Sequence, residues 1–359
     1  MSSDITHPSA ESSHASAFGQ LVTGPPGAGK TTYCNGMHQF LTALGRPVHI
    51  INLDPAVPNP PYPCSINITS LITLESVMNE FGLGPNGGIL YCLEYLEANF
   101  DWLLEELDRV LEAEGGNGYV IFDTPGQVEL WTNHDSLKNI VERLTKLEYR
   151  LAAVHLSDAH YITDASKFIS MVLLSLRAML QLEMPHINVL SKIDLLNTYG
   201  ELPFDLRYYT EARDLGYLLE SLEADPRSAR YGALNRAMVE LVEEYGMVGF
   251  ETLAVEDRAS MLKLLRLIDK ATGYIFVPPS TSTGHANSHA LFSSALGIGG
   301  AGADTLDLGD VDEVQERWGE SREDYDEVER EGWRREAGMR ASRQVGQPTE
   351  DVDESEETV

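Results

Sequence analysis

The sequence is poor in positive charge, in cysteine and in long apolar runs, and each shortage excludes a class of protein. Lys and Arg number 26 against 56 Asp and Glu in 359 residues, for a formal net charge of −30. With a pI near 4.6, the chain lacks the Lys/Arg surplus that drives phosphate-backbone binding through counterion release. No direct nucleic-acid partner and no anionic membrane surface is therefore expected. The cysteines are only Cys34, Cys64 and Cys92, with no C-x-x-C spacing. This excludes a disulfide scaffold and a four-thiolate zinc site, and it fits a reducing compartment. No run reaches about 18 uninterrupted apolar residues, so no membrane span is expected. The first residues are polar and Ser/His-rich, without the apolar stretch of a secretion signal. Ten histidines are present, but none forms an i, i+4 pair within a ligand cluster, so no metal site built on histidine is expected. Hydrophobic residues make up 43%, enough to bury a core. The expectation is an acidic, cytoplasmic, globular protein.

Composition divides the chain in three. Residues 1–17 read as a disordered leader and 18–277 as one folded domain. Residues 278–359 read as an acidic, mostly disordered tail, with 20 acidic residues against seven arginines. Within the tail, Val311, Val314, Trp318, Tyr325 and Val328 fall on one stripe of a possible amphipathic helix at 311–330. Inside 18–277, short apolar runs alternate with amphipathic stretches. Strands are expected at 19–23, 47–53, 119–123, 151–157, 187–191 and 249–254. Helices are expected at 30–44, 70–81, 91–112, 164–182, 208–222, 227–245 and 256–272. This alternation implies right-handed βαβ units: an α/β fold with a mainly parallel central sheet flanked by helices.

Three segments carry chemistry. Gly24-Pro25-Pro26-Gly27-Ala28-Gly29-Lys30-Thr31-Thr32 fits G-x-x-x-x-G-K-[ST], between an expected strand and an expected helix. Glycines let backbone N–H groups form an anion nest at the helix N-terminus. Lys30 is placed for the β- and γ-phosphates and the Thr31 hydroxyl for Mg²⁺. The nucleotide-binding set is Gly27, Ala28, Gly29, Lys30, Thr31 and Thr32. The run 119–123 ends in Asp123 and is followed by Thr124-Pro125-Gly126-Gln127. Asp123 is assigned to the Mg²⁺ shell with Thr31, and Gln127 to orienting water. The third segment, Ser191-Lys192-Ile193-Asp194, is a slightly altered N/T-K-x-D guanine motif. The Asp194 carboxylate can accept from guanine N1–H and the 2-amino group, neither of which adenine offers. Asp54, closing the second strand, is a further catalytic candidate, for placing Mg²⁺ or the attacking water.

Taken together, Gly-Pro-Pro-Gly-Ala-Gly-Lys-Thr-Thr, Asn52-Leu53-Asp54-Pro55-Ala56, Gly84-Pro85-Asn86-Gly87-Gly88, Asp123-Thr-Pro-Gly-Gln127 and Ser191-Lys-Ile-Asp194 resemble the GPN-loop GTPases. The order and spacing agree across 18–277. The segments 93–99 and 186–188 are most similar to the second of the three eukaryotic paralogues. The resemblance implies a P-loop GTPase domain with Mg²⁺, slowly converting GTP to GDP and phosphate. It implies a nucleotide-dependent homodimer, or a heterodimer with another GPN-loop GTPase, in which Gly84, Pro85 and Asn86 of one subunit enter the partner's site, with Asn86 catalytic. It also implies work in the assembly and nuclear import of RNA polymerase II and III, alongside polymerase subunits or assembly factors, and shuttling to the nucleus. Related dimerising P-loop ATPases carry a lysine where this chain has Pro25; a neutral amide such as Asn86 fits that vacancy. Two other readings stay open on the residues alone: a small-molecule kinase, and a nucleotide-bound interaction module with little turnover.

Overall fold

The computed structural model describes residues 16–112, 117–200, 202–224, 229–276 and 311–320. Seven strands form one sheet in which every pairing is parallel. They are β1 (Ser16–Thr23), β2 (Val48–Asn52), β3 (Cys64–Asn67), β4 (Asn117–Asp123), β5 (Arg150–Asp158), β6 (His186–Ser191) and β7 (Phe250–Leu253). Their order is β3-β2-β4-β1-β5-β6-β7. Both faces are covered, so the strands read as continuous apolar runs; in β5 every residue from Leu151 to Ser157 is buried.

Sequence order reverses at β1, and the loops after the strands open a crevice there. The register sets its depth. Asp123 lies level with Val22 on one side and Asn52 on the other, so the loops leaving β1, β2 and β4 converge. Ser191 lies level with Asp158 and Leu253, so the loops after β5, β6 and β7 form the other half.

One face of the sheet carries α1 (Lys30–Ala43) and α11 (Arg258–Thr272), which bury Tyr33, Met37 and Leu41 against Met261, Leu264 and Ile268. Against the other face lie α2 (Leu74–Phe81), α3 (Pro85–Ala98), α4 (Phe100–Glu112) and α6 (Ser136–Lys146), with a short α5 (Glu129–Thr132). A further cluster joins α7 (Ala165–Leu182) to α8 (Leu206–Glu211), α9 (Gly216–Ala224) and α10 (Gly232–Tyr245). By length and composition alone α7 could cross a bilayer, yet its Phe168, Val172 and Leu176 are core residues here.

Several boundaries differ from the sequence reading. The stretch expected as one helix at 91–112 is two. The Asn99 side-chain amide and its backbone N–H both donate to the Tyr95 carbonyl, at 2.8 and 3.0 Å, which closes α3 and lets α4 start in a new direction. The helix expected from 70 starts at Leu74, because Thr73 caps it through Ser76 N–H. The stretch 208–222 divides into α8 and α9 around Ala212 and Asp214, both at positive φ. Strand β1 begins at Ser16, inside the expected leader, and residues 16 and 17 pair with 117 and 118. Strand β3 and helix α6 have no counterpart in the sequence reading.

Part of the tail packs on the domain. A short helix α12 (Val311–Gln315) and the turn after it place Val311, Val314 and Trp318 in the α7–α10 cluster. Gln315 Oε1 accepts from Leu206 N–H at 2.6 Å, and Arg317 pairs with Asp257 at 3.2 Å. Tyr325, Val328 and the rest of the expected 311–330 helix lie outside the described residues. Trp318 is only 8% exposed. Trp318→Ala should therefore destabilise the domain by about 3 kcal/mol, read as a lower urea midpoint with unchanged slope. An unchanged midpoint would mean that the contact contributes nothing in solution.

Candidate nucleotide-binding site

The phosphate loop is tight because its glycines permit it. Gly24 sits at φ 139°, and a Cβ there would lie 2.2 Å from the Leu156 carbonyl oxygen. Gly29, at φ 88°, is the residue from which α1 starts. Lys30 is the first residue of that helix and is buried. Its Nζ curls back and donates to the Gly24 and Pro25 carbonyls, at 2.9 and 3.1 Å. Burial lowers its pKa, while Asp123 and Asp54 act to raise it. A buried cation at a helix N-terminus suits an anion.

Asp123 ends β4 beneath the loop. Its Oδ2 accepts from Thr31 Oγ1 at 3.1 Å and from the Tyr62 hydroxyl at 2.8 Å. Its Oδ1 is buried with no hydrogen-bond partner. Burial pushes this carboxyl up to about 6, against the opposing pull of Tyr62, Thr31 and Lys30. Asp54 is also raised by burial, with Lys30 opposing. One of its oxygens closes the Asp-Pro turn by accepting from Ala56 N–H at 2.9 Å. Asp54 is thus a turn former that also lies in the field of Lys30. Its loop is tied to β4 through Leu53 N–H donating to the Asp123 carbonyl at 2.8 Å.

The segment after Asp123 lies over the phosphate loop. A Cβ on Gly126 would meet Lys30 Nζ at 2.9 Å and Pro26 Cα at 3.2 Å, so a side chain there would push the Lys30 ammonium aside and crowd the loop. Gln127 follows, half-buried, its Oε1 without a partner. An unused amide oxygen next in sequence to Gly126 suits a residue that orients water.

At the other end, the Ser191 hydroxyl lies 2.7 Å from the Ala28 carbonyl and 3.0 Å from that of Ser157. One proton serves either acceptor, so Ser191 fastens β6 to the phosphate loop. Lys192 is at φ 61° and its Nζ pairs with Asp158 at 2.7 Å. Its Cε lies 4.0 Å from the Cβ position of Gly29, so the stem runs along the loop. Ile193 is buried, and Asp194 lies in the first turn of the 3₁₀ helix Ile193–Thr198. Thr252 and Leu253 are buried in β7, so the loop that faces the base end begins at Ala254.

Gly84-Pro85-Asn86 is not a free turn. Gly84 is the N-cap of α3 and Pro85 its first residue, the position where proline costs nothing. A Cβ on Gly88 would lie 2.6 Å from Leu74 Cδ1, so this end of α3 packs closely on α2. Asn86 is exposed. Among the described residues, no hydrogen bond joins it to the phosphate loop of its own chain.

Comparison with known proteins agrees with this geometry. A family model described as a conserved hypothetical ATP binding protein matches residues 22–274. The chain is 50% identical over 280 residues to GPN-loop GTPase 2 of Danio rerio, covering 78% of this chain and 87% of the relative. It is 53% identical over 260 residues to GPN-loop GTPase QQT1 of Arabidopsis thaliana, covering 72% and 86%. The chain belongs to the GPN-loop GTPase family, in its second paralogue. A GTPase in apo form from Pyrococcus abyssi shares the fold with a TM-score of 0.56 at 27% identity, over 71% of this chain and 97% of that one.

The family model's description says ATP, but the named relatives, matched over 280 and 260 residues, are GTPases. As a GPN-loop GTPase the chain binds GTP and hydrolyses it, and the site's parts take their places accordingly. Lys30 and Gly126 meet at the phosphate loop, and Lys192 and Asp194 follow the end of β6 on its other side. One site residue was missed in the sequence: Tyr62, 5% exposed and bonded to Asp123. The signal was faint, a tyrosine set between Pro61 and Pro63.

Proposed function

We propose that this GPN-loop GTPase is a Mg²⁺-dependent, guanine-specific switch that works as a dimer, with another copy or with another GPN-loop GTPase. The observation that carries the metal is Asp123 Oδ1, a buried acceptor with nothing to accept from. Unpaired buried carboxylate oxygens are costly, and a hydrated cation beside Thr31 satisfies this one. Among the described residues no group of three His, Cys, Asp or Glu would hold a metal alone. The cation therefore depends on phosphate oxygens, which makes Mg²⁺ and nucleotide bind together. When bound, Mg²⁺ neutralises charge on the transferring phosphate. Support for the dimer lies in what the single chain leaves out. Pro25 offers no charge to the γ-phosphate, and Asn86, a suitable amide, is exposed with no hydrogen bond to its own phosphate loop among the described residues. By resemblance to the family, the proposed work is assembly and nuclear import of RNA polymerase II and III, in the cytoplasm with shuttling to the nucleus.

Guanine choice is tested at Asp194. Asp194→Asn should weaken GTP binding about 5- to 150-fold, the worth of an acceptor lost from a buried pair. It should also favour xanthosine triphosphate, whose 2-oxo group accepts from the new amide. Equal affinity of the unaltered protein for GTP and ATP in Mg²⁺ would overturn the assignment.

A further inference from the structure

The segment between β2 and β3 carries five prolines, at positions 55, 58, 60, 61 and 63. Proline fixes φ, so this loop has few conformations to lose on folding. It is also pinned: Asn52 Nδ2 donates to the Val57 carbonyl at 2.8 Å and Asn67 Nδ2 to the Pro58 carbonyl at 2.9 Å. Asp54 opens the loop, and Tyr62, near its far end, packs in the core cluster with Val22, Ala28 and Tyr33. From there the hydroxyl reaches Asp123.

The two hydroxyls that donate to Asp123 fall on the same oxygen, and the buried Cys34 thiol also acts on this carboxylate. Thr31 and Tyr62 both bond Oδ2, and Oδ1 is left buried without a partner. A carboxylate gripped by one oxygen cannot rotate to share its lone pairs. We infer that Tyr62 is a positioning residue for the metal-shell carboxylate: it holds Asp123 Oδ2 so that Oδ1 faces the cation and its water. Thr31 keeps this bond to Asp123 with its proton, which leaves its own oxygen free for the metal. Tyr62 never touches nucleotide. It acts through Asp123, and because Asp54 belongs to the same stiff loop, it ties the two acidic residues to one framework.

This inference rests on the nucleotide-and-metal reading of the site, and its test separates the two. The variant is Tyr62→Phe, which keeps the ring and its packing and removes only the donor. Release of a fluorescent GDP is followed from the full-length protein in EDTA and across a Mg²⁺ titration. Loss of one charge-assisted hydrogen bond should raise the Mg²⁺ concentration that half-maximally slows release by about tenfold or more. Release in EDTA, where Asp123 has no cation to meet, should stay within about twofold of the unaltered protein. An unchanged Mg²⁺ requirement overturns the inference. So does an equal acceleration in EDTA and in Mg²⁺, which would mark Tyr62 as a packing residue only. Unaltered protein that holds no GDP would overturn the reading of the site itself, and this inference with it.

Discussion

Replacing Lys30 by alanine is expected to lower GTP affinity about 10²–10³-fold and leave the domain folded. The size follows from removing one member of a buried, hydrogen-bonded charge pair, worth roughly 2–5 kcal/mol. Lys30 is poised for that role. It is buried, its ammonium bonds only carbonyls of the loop that surrounds phosphate, and it belongs to none of the three apolar clusters. Folding does not depend on its packing, so the variant should melt cooperatively. In the free protein the change removes the cation that holds Asp54 and Asp123 down, and both carboxyls should rise further. The measurement is a thermal shift. A ligand at 100 times its Kd stabilises by about 2.7 kcal/mol, and at that same GTP concentration the gain should fall to about 0.4 kcal/mol or less in Lys30→Ala. A variant that keeps its full gain would contradict the role given to Lys30.

Replacing Asn86 by alanine should slow hydrolysis about 10²–10³-fold, roughly 2.7–4 kcal/mol, the usual cost of one donor aimed at developing charge. GTP affinity should hardly move, because among the described residues no hydrogen bond joins Asn86 to its own phosphate loop. The observations behind this are the exposed position of Asn86 at the start of α3 and the fixed helix entry made by Gly84 and Pro85. A helix N-terminus adds outward N–H groups to the side-chain amide. If this end serves a partner's site, two inactive variants should rescue one another. Mixed Lys30→Ala and Asn86→Ala chains form a dimer in which one site has Lys30 from one chain and Asn86 from the other. Part of the turnover should return. Dimers that mix and regain nothing would end the model of action across the interface.

How far the sequence was legible differs from part to part. The phosphate loop, Asp123 and Ser191–Asp194 were readable because glycine, lysine and acids at fixed spacing after apolar runs suit little besides the binding of phosphate and base. The parallel sheet followed from those runs, whose burial on both faces erases alternation. Helix ends were harder. Asn99 stops α3 through a local side-chain bond, which competes with a periodicity that continues unbroken on either side. The same periodicity hid the Gly84–Pro85 helix start, since a Gly-Pro-Asn triplet reads equally as a turn. Tyr62 was out of reach, because its hydrogen bond depends on a loop folding back across 61 residues to Asp123. Trp318 was seen on an apolar stripe, but not which surface it covers; that needed α8 and the Ile193–Thr198 turn to be placed first.

The central claim is that this crevice binds GTP and cleaves its terminal phosphate, and single-turnover phosphate release tests it most directly. Protein in excess over nucleotide, with Mg²⁺, is given GTP or ATP. Release is expected from GTP, little from ATP, and none from either with Lys30→Ala. Equal release from both nucleotides, or release that survives Lys30→Ala, would contradict the claim.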